Sequence, residues 1–331
     1  MAFFEREQYI SVERELGHIP CLIEFGPHST QAVEEFIIRL SERDLAPHAK
    51  TDQAAKFLLG TPFYPESALP IPRRGVLRLR LETLDCVTLV YTVIALARSK
   101  SLIDFAQNLA CLRYRDENSL DSNPDQGTIL DFCSESLIVQ GVHLGYLRDV
   151  TCECVHWSLV RSYSAFERPI QRPEQFDPEK RVVRRKIGSE MIASTFIPTE
   201  HLDQVESDNV KSGDILLFTR SKDDQCGNLV SHCAIAVVMD DILTFIHASR
   251  NASCRRDVPV NFAGRHTGLF YQGDARIEQL GVSLSYWPTE PDVVAMAEGQ
   301  NLYGYDDTRI RSLTDYCRNC GFTGVKIMRP C

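Results

Sequence analysis

The spacing of apolar side chains changes once along this chain, near residue 213, and that change limits the fold more than any other feature. Before it, apolar residues recur at helical spacing. Val33, Phe36, Ile37 and Leu40 predict a helix over 29–42, with Ser29 or Thr30 as its N-cap. A short helix is expected over 51–59, capped by Thr51 and stopped at Gly60. Cys86, Leu89, Val90, Val93, Leu96 and Ala97 mark the clearest helix, 86–97. Ser101 and Asp104 form a capping-box pattern ahead of another, 102–112. Beyond residue 213 the runs are short and rich in Ile, Val and Phe. Asp214–Phe218, Cys233–Met239, Ile242–Ala248 and Val282–Trp287 read as antiparallel strands, with Asp240-Asp241 as a tight turn. Helices first and strands later predict an α+β fold rather than an alternating parallel one.

The remaining segments are less regular. Pro62, Pro65, Pro70 and Pro72 impose an extended loop, and 75–80 reads as a short strand or an extended approach to the next helix. Residues 115–130 and 164–190 are polar and turn-rich and are expected to be loops, with Arg181, Arg184, Arg185 and Lys186 a solvated basic patch. The tail predicts a helix near Val293–Ala297 and a closing strand near Val325–Met328.

Composition narrows the partners. The chain has 331 residues and a net charge of −9, from 45 acidic and 36 basic side chains. An acidic surface repels phosphate backbones, which argues against nucleic acid. No run approaches the roughly 18 apolar residues of a membrane span. The start, Met1–Glu7, is charged and lacks the apolar stretch of a secretory signal. The expected location is therefore cytoplasmic, or outside by a signal-independent route, or periplasmic if a leader has been removed. Twelve cysteines in a chain of this length do not make a disulfide framework, and several lie in apolar runs, so a reducing compartment is expected.

Three segments carry chemistry. Leu84-Asp85-Cys86 opens the strongest helix. A cysteine there meets the positive end of the helix dipole and unpaired N–H groups, which favour thiolate and can also hold an oxyanion. Ser231-His232-Cys233 opens one predicted strand, and Ile246-His247-Ala248-Ser249 closes the next. Across the 240–241 turn, His232 and His247 can lie side by side, one taking the thiol proton and the other orienting it. Each piece alone is commonplace; their order and spacing together point to a thiol nucleophile. Elsewhere, Cys317 and Cys320 form a CxxC pair that reads as zinc ligands, a redox pair or plain cysteines. Cys152, Cys154 and His156 would share one strand face, as metal ligands or as packing. Gly60-Thr61-Pro62 lacks the lysine and glycines of a phosphate loop. Arg73, Arg74, Arg78, Arg80, Arg113 and Arg115 flank the cysteine in sequence and could clamp carboxylates.

Gly60–Tyr64, Leu84-Asp85-Cys86, Gly213–Leu216, His232–Ala236 and Ile246–Ser249, in that order, resemble the landmarks of NlpC/P60 proteins. The DUF1460 branch is more similar still, through Gly60–Tyr64, Leu84–Val90, Ala95-Leu96-Ala97 and Arg113-Tyr114-Arg115-Asp116. The resemblance implies a papain-like fold, helices packed on an antiparallel sheet. It covers the catalytic domain expected over 49–290, with loop insertions; residues 1–48, read as a helical N-terminal extension, and 291–331, read as a C-terminal extension packed on the core, have no counterpart in it. It implies Cys86 as nucleophile, His232 as base and His247 as the polar third member. Phe63, Tyr64, Asp85, Arg113, Tyr114 and Ser231 become the expected substrate-facing residues. The implied activity is hydrolysis of the N-acetylmuramoyl-L-alanine bond in peptidoglycan fragments, with a muropeptide as partner and no cofactor or metal. Phe63 stands where the family has tyrosine, and Tyr91 where it has glutamate. A peptidase cutting within the stem peptide, an acyltransferase and a non-catalytic binding module are the alternatives on the same scaffold.

Overall fold

A computed structural model describes residues 7–14, 17–25, 29–59, 61, 77–81, 84–115, 128–129, 140–162, 166–177, 181–192, 194–205, 207–220, 230–239, 242–249, 281–285 and 313–331. The expected turn at 240–241, the proline-rich stretch from Pro62 and the helix near 293–297 lie outside them.

The chain opens with strands β1 (Glu7–Arg14) and β2 (Gly17–Glu24), an antiparallel hairpin. This corrects the expectation of a purely helical start. Ile10, Val12, Ile19 and Ile23 are β-branched, and their pull toward extended backbone wins. Helix α1 (Thr30–Ser41) follows, and the Ser29 side chain accepts the Ala32 N–H at 3.0 Å as its cap. Helix α2 (Pro47–Phe57) begins four residues earlier than expected. Proline at the first helical position costs no hydrogen bond, so Pro47 starts it; Thr51 lies inside, its hydroxyl donating to the Pro47 carbonyl. Strand β3 (Leu77–Arg80) pairs parallel to β2.

Helix α3 (Cys86–Arg98) buries ten of its thirteen residues. Truncating a core leucine such as Leu89 costs about 2–5 kcal/mol. Helix α4 (Leu102–Arg113) starts at Ser101, whose hydroxyl accepts the Asp104 N–H at 3.1 Å; the Asp104 carboxylate reaches back to Lys100 rather than to Ser101. Short strands β4 (Tyr114–Arg115) and β5 (Thr128–Ile129) pair at the ends of the first expected loop.

Next come β6 (Leu147–Asp149), β7 (Arg161–Ser162), β8 (Phe166–Asp177), β9 (Arg181–Ile192) and β10 (Thr195–Pro198). β8 and β9 form a long antiparallel hairpin where loops were expected. Backbone pairing holds it, and polar composition does not report backbone pairing. Its register slips near Pro173, which has no N–H to donate. Residues 151–153 form a turn of 3-10 helix rather than a strand, with Cys152 exposed and Cys154 buried. Those two cysteines therefore do not share a face.

The main sheet adds β11 (Ile215–Thr219), β12 (Val230–Met239), β13 (Ile242–Ser249) and β14 (Gly281–Ser285). Helix α5 (Leu313–Cys320) and strand β15 (Gly324–Pro330) complete the chain. The strand order is β14-β13-β12-β11-β15-β10-β7, antiparallel throughout, with β6 also on β15. The closing strand expected near 325–328 thus sits inside the sheet.

Both faces of the sheet are covered, which is why its strands read as continuous apolar runs. Ile215, Leu217, Cys233, Ile235 and Val237 join a core built with α1–α4. Their neighbours Leu216, Phe218, Ala234 and Ala236 join a second core with Tyr316, Cys317 and Cys320 of α5. Asp214, fully buried, ties β11 to β15: its carboxylate accepts from Arg329 at 2.8 and 2.7 Å and from the Lys211 N–H at 2.9 Å. Gly213 before it has φ +94°, and a Cβ there would lie 1.7 Å from the His48 carbonyl oxygen. Only glycine fits that approach.

Candidate active site

The site grows from the first turn of α3. Asp85 is its N-cap: Oδ1 accepts the Thr88 N–H at 2.8 Å, and the Asp85 N–H donates to Thr88 Oγ1 at 2.8 Å. This reciprocal box, with threonine in the usual glutamate place, fixes the helix start. Asp85, expected to face substrate, is thus engaged in holding Cys86 at the first helical position. Cys86 is half-buried there.

Two neighbours on β12 meet Cys86. Successive strand residues point to opposite faces. Cys233 faces the helices and donates its thiol to the Cys86 carbonyl at 3.0 Å. His232 lies against the second core, 5.5 Å from the Phe218 ring and stacked 6.1 Å from Phe322. The register between β11 and β12 slips beside it, Phe218 pairing His232 but Thr219 pairing Val230, which leaves Ser231 as the extra residue. Such a bulge re-aims the side chains next to it. The His232 imidazole is close enough to act on the Cys86 thiol, lowering it by charge and by hydrogen bonding.

Behind it lies His247. His232 Nε2 and His247 Nδ1 are 3.0 Å apart, so one proton is shared along that line. The last paired positions on this side are Ile235 and Ile246. His247 is one residue past that pair and His232 three residues before it, so the rings meet on a diagonal rather than directly opposite. His247 is fully buried and edge-on to Phe245 and Tyr316.

These surroundings set the charge at the sulfur. The Cys86 thiol is held well below the usual thiol range, first by the hydrogen bond from Cys233 and then by the charge and hydrogen bond of His232. Burial opposes them and is outweighed.

The structure therefore brings together Cys86, His232 and His247, with Ser231 exposed beside them. Arg113 ends α4 and Tyr114 begins β4, and their side chains lie outside the described residues, as do Phe63 and Tyr64 entirely. No group of three or more His, Cys, Asp or Glu side chains converges on a metal site among the described residues. Cys317 and Cys320 are packed in the second core. Two contributors carry no local sequence signal of their role. Cys233 stands inside the histidine motif as one residue of an apolar strand. The aromatic wall of Tyr316 and Phe322 comes from the far end of the chain, where only its aromatic character was visible.

An antiparallel α+β protein with a depressed thiol at a helix start, backed by a histidine pair, is the class these elements define. The chain belongs to the AmiA-like family, described as N-acetylmuramoyl-L-alanine amidase-like, whose model matches residues 53–265. Cys86, His232 and His247 all lie within that span. A Legionella pneumophila protein of the DUF1460 family is similar in structure, with 15% identity and a TM-score of 0.54 over 91% of this chain and 93% of that one. An N-acetylmuramoyl-L-alanine amidase from Bacteroides uniformis shares 17% identity, with a TM-score of 0.49 over 86% of this chain and 99% of that one. No curated protein matches the chain. No helix among the described residues is long and apolar enough to cross a membrane.

Proposed function

We propose that this protein is a cysteine amidase of the papain-like NlpC/P60 type that hydrolyses the N-acetylmuramoyl-L-alanine bond of peptidoglycan fragments. The observation that carries the reading is Cys86 at a helix start, its thiol lowered by His232, with the His232 ring 3.0 Å from His247 behind it. The family supports the substrate. The chemistry needs no cofactor.

Cys86 attacks the lactyl carbonyl carbon as thiolate. The oxyanion that forms is held by N–H groups at the start of α3, that of Cys86 among them. His232, protonated by the thiol, gives its proton to the leaving L-alanine nitrogen. It then takes a proton from water, which opens the thioester and frees the lactyl carboxylate. Since Nε2 of His232 faces His247, Nδ1 is the nitrogen assigned to the sulfur. His247 holds the ring and acts through it. Phe63, Tyr64, Arg113, Tyr114 and Ser231 are assigned to the substrate side, and Asp85 supports it through the helix cap.

The test is product analysis. Wild type and Cys86→Ala are incubated with defined muropeptides, and products are identified by mass. Expected is release of an intact peptide beginning with L-alanine, lost in the variant. Cleavage inside the stem peptide would transfer the site to a peptidase. Absence of any Cys86-dependent cleavage would overturn the enzyme.

A further inference from the structure

We propose that Cys233 is a resolving thiol for Cys86, and that a hydroperoxide closes a reversible Cys86–Cys233 disulfide that switches the site off. The inference rests on the proposed reading of Cys86 as the reactive thiolate, and adds regulation to it.

Three observations carry it. The Cys233 sulfur lies 3.0 Å from the carbonyl oxygen of residue 86, to which its thiol donates. Bonding then requires the two side chains to turn toward each other between α3 and β12, elements already packed together. The two thiols also differ in access. Cys86 is half-buried, whereas Cys233 is 0% exposed. Oxidant from solvent therefore meets Cys86 first. Finally, among the described residues the other buried thiols, Cys154, Cys317 and Cys320, belong to the core on the opposite face of the sheet, away from Cys86.

The chemistry balances. Cys86 thiolate attacks one oxygen of hydrogen peroxide, the hydroperoxide used in the test; the S–O bond forms, the O–O bond breaks, and the departing hydroxide takes a proton to leave as water. Cys233 attacks the resulting sulfenic sulfur. The S–S bond forms, the S–O bond breaks, and the hydroxide leaves with the Cys233 proton as a second water. Two electrons pass from the sulfur pair to the peroxide. A dithiol reductant reverses the bond by exchange. The disulfide removes the nucleophile and shields it from further oxidation to sulfinic acid.

The experiment treats the reduced protein with hydrogen peroxide and maps its peptides without reduction. Expected is a linked peptide pair joining Cys86 to Cys233, about 2 Da lighter than its parts, restored by dithiothreitol. In Cys233→Ala, which also removes the first group lowering the Cys86 thiol, Cys86 is expected to oxidise more slowly but still to gain about 32 Da as sulfinic acid, with no recovery. Mapping of the wild type decides the matter even if that variant does not fold. Sulfinic Cys86 with Cys233 still reduced would overturn the lock. Iodoacetamide labelling before oxidation separates the two readings. Rapid Cys86 labelling without the linked pair sinks the lock alone, whereas slow labelling sinks the reactive thiolate beneath it.

Discussion

Cys86 and Cys154 are thiols of the same chain, packed with opposite faces of one sheet, and their surroundings drive them in opposite directions. Cys154 is buried in the α5 core, its thiol donating to the Asn209 carbonyl at 3.6 Å. Burial pushes it up to about 12, and the Asp214 charge adds to the push. Cys86 also suffers burial, yet the Cys233 hydrogen bond and the His232 charge carry it the other way. The difference shows that burial alone makes a cysteine inert. What lowers a buried thiol is what faces the sulfur: here the Cys233 thiol and an imidazole, at a helix start.

Removing the imidazole is the strongest way to erase the difference. His232→Ala is expected to lower muropeptide turnover by roughly 10²–10⁴-fold and to slow alkylation of Cys86 toward the rate of an ordinary thiol. Both are read by timed mass analysis. His247→Ala is expected to lose less, and His247→Asn to recover part of the loss, because the second ring positions the first. Equal loss in all three variants would make His247 more than a positioning residue.

On the other face, Arg329→Ala strips the partner from buried Asp214. An uncompensated buried carboxylate costs about 3–5 kcal/mol, measurable by urea denaturation. The same change removes a positive charge that now restrains Cys154, so that thiol is expected to rise further.

Cys154 itself predicts a pH effect. Above the ordinary thiol value of about 8.5 the unfolded chain loses this proton, while the folded protein keeps it to about 12. The unfolded state then binds fewer protons, and stability falls as pH rises through that window. Cys154→Ala is expected to flatten the fall between pH 7 and pH 10 in denaturation curves. A slope identical to wild type would remove Cys154 as its source. The smallest effect belongs to the helix cap. Asp85→Ala is expected to cost about 1 kcal/mol of stability, with a modest slowing of Cys86 alkylation.

Helices α1 and α3 were legible because each buries apolar residues at helical spacing, from Val33 to Leu40 and from Leu89 to Leu96. Cys86 and both histidines stood out for a related reason. Helix starts and strand ends are visible locally, and chemistry-bearing residues stood at each. What stayed hidden depends on meetings between remote segments. Val325 pairs Phe218 across more than a hundred residues, and nothing near either one announces it. The β8–β9 hairpin is held by backbone pairing that its polar sequence does not display. The diagonal meeting of His232 and His247 depends on a register that no local pattern states. Cys233 illustrates the limit best. Its partner is the carbonyl of a residue 147 positions away, so its place beside Cys86 was invisible until the strand was laid under the helix.

The most direct measurement is the alkylation rate of Cys86 against pH, followed by peptide mass in wild type and in His232→Ala. The wild type is expected to stay fast well below pH 8.5, where an ordinary thiol has lost most of its thiolate, and the variant to move toward ordinary behaviour. A wild-type rate that rises only through the ordinary thiol range, unchanged by loss of the imidazole, would contradict an activated nucleophile at this site.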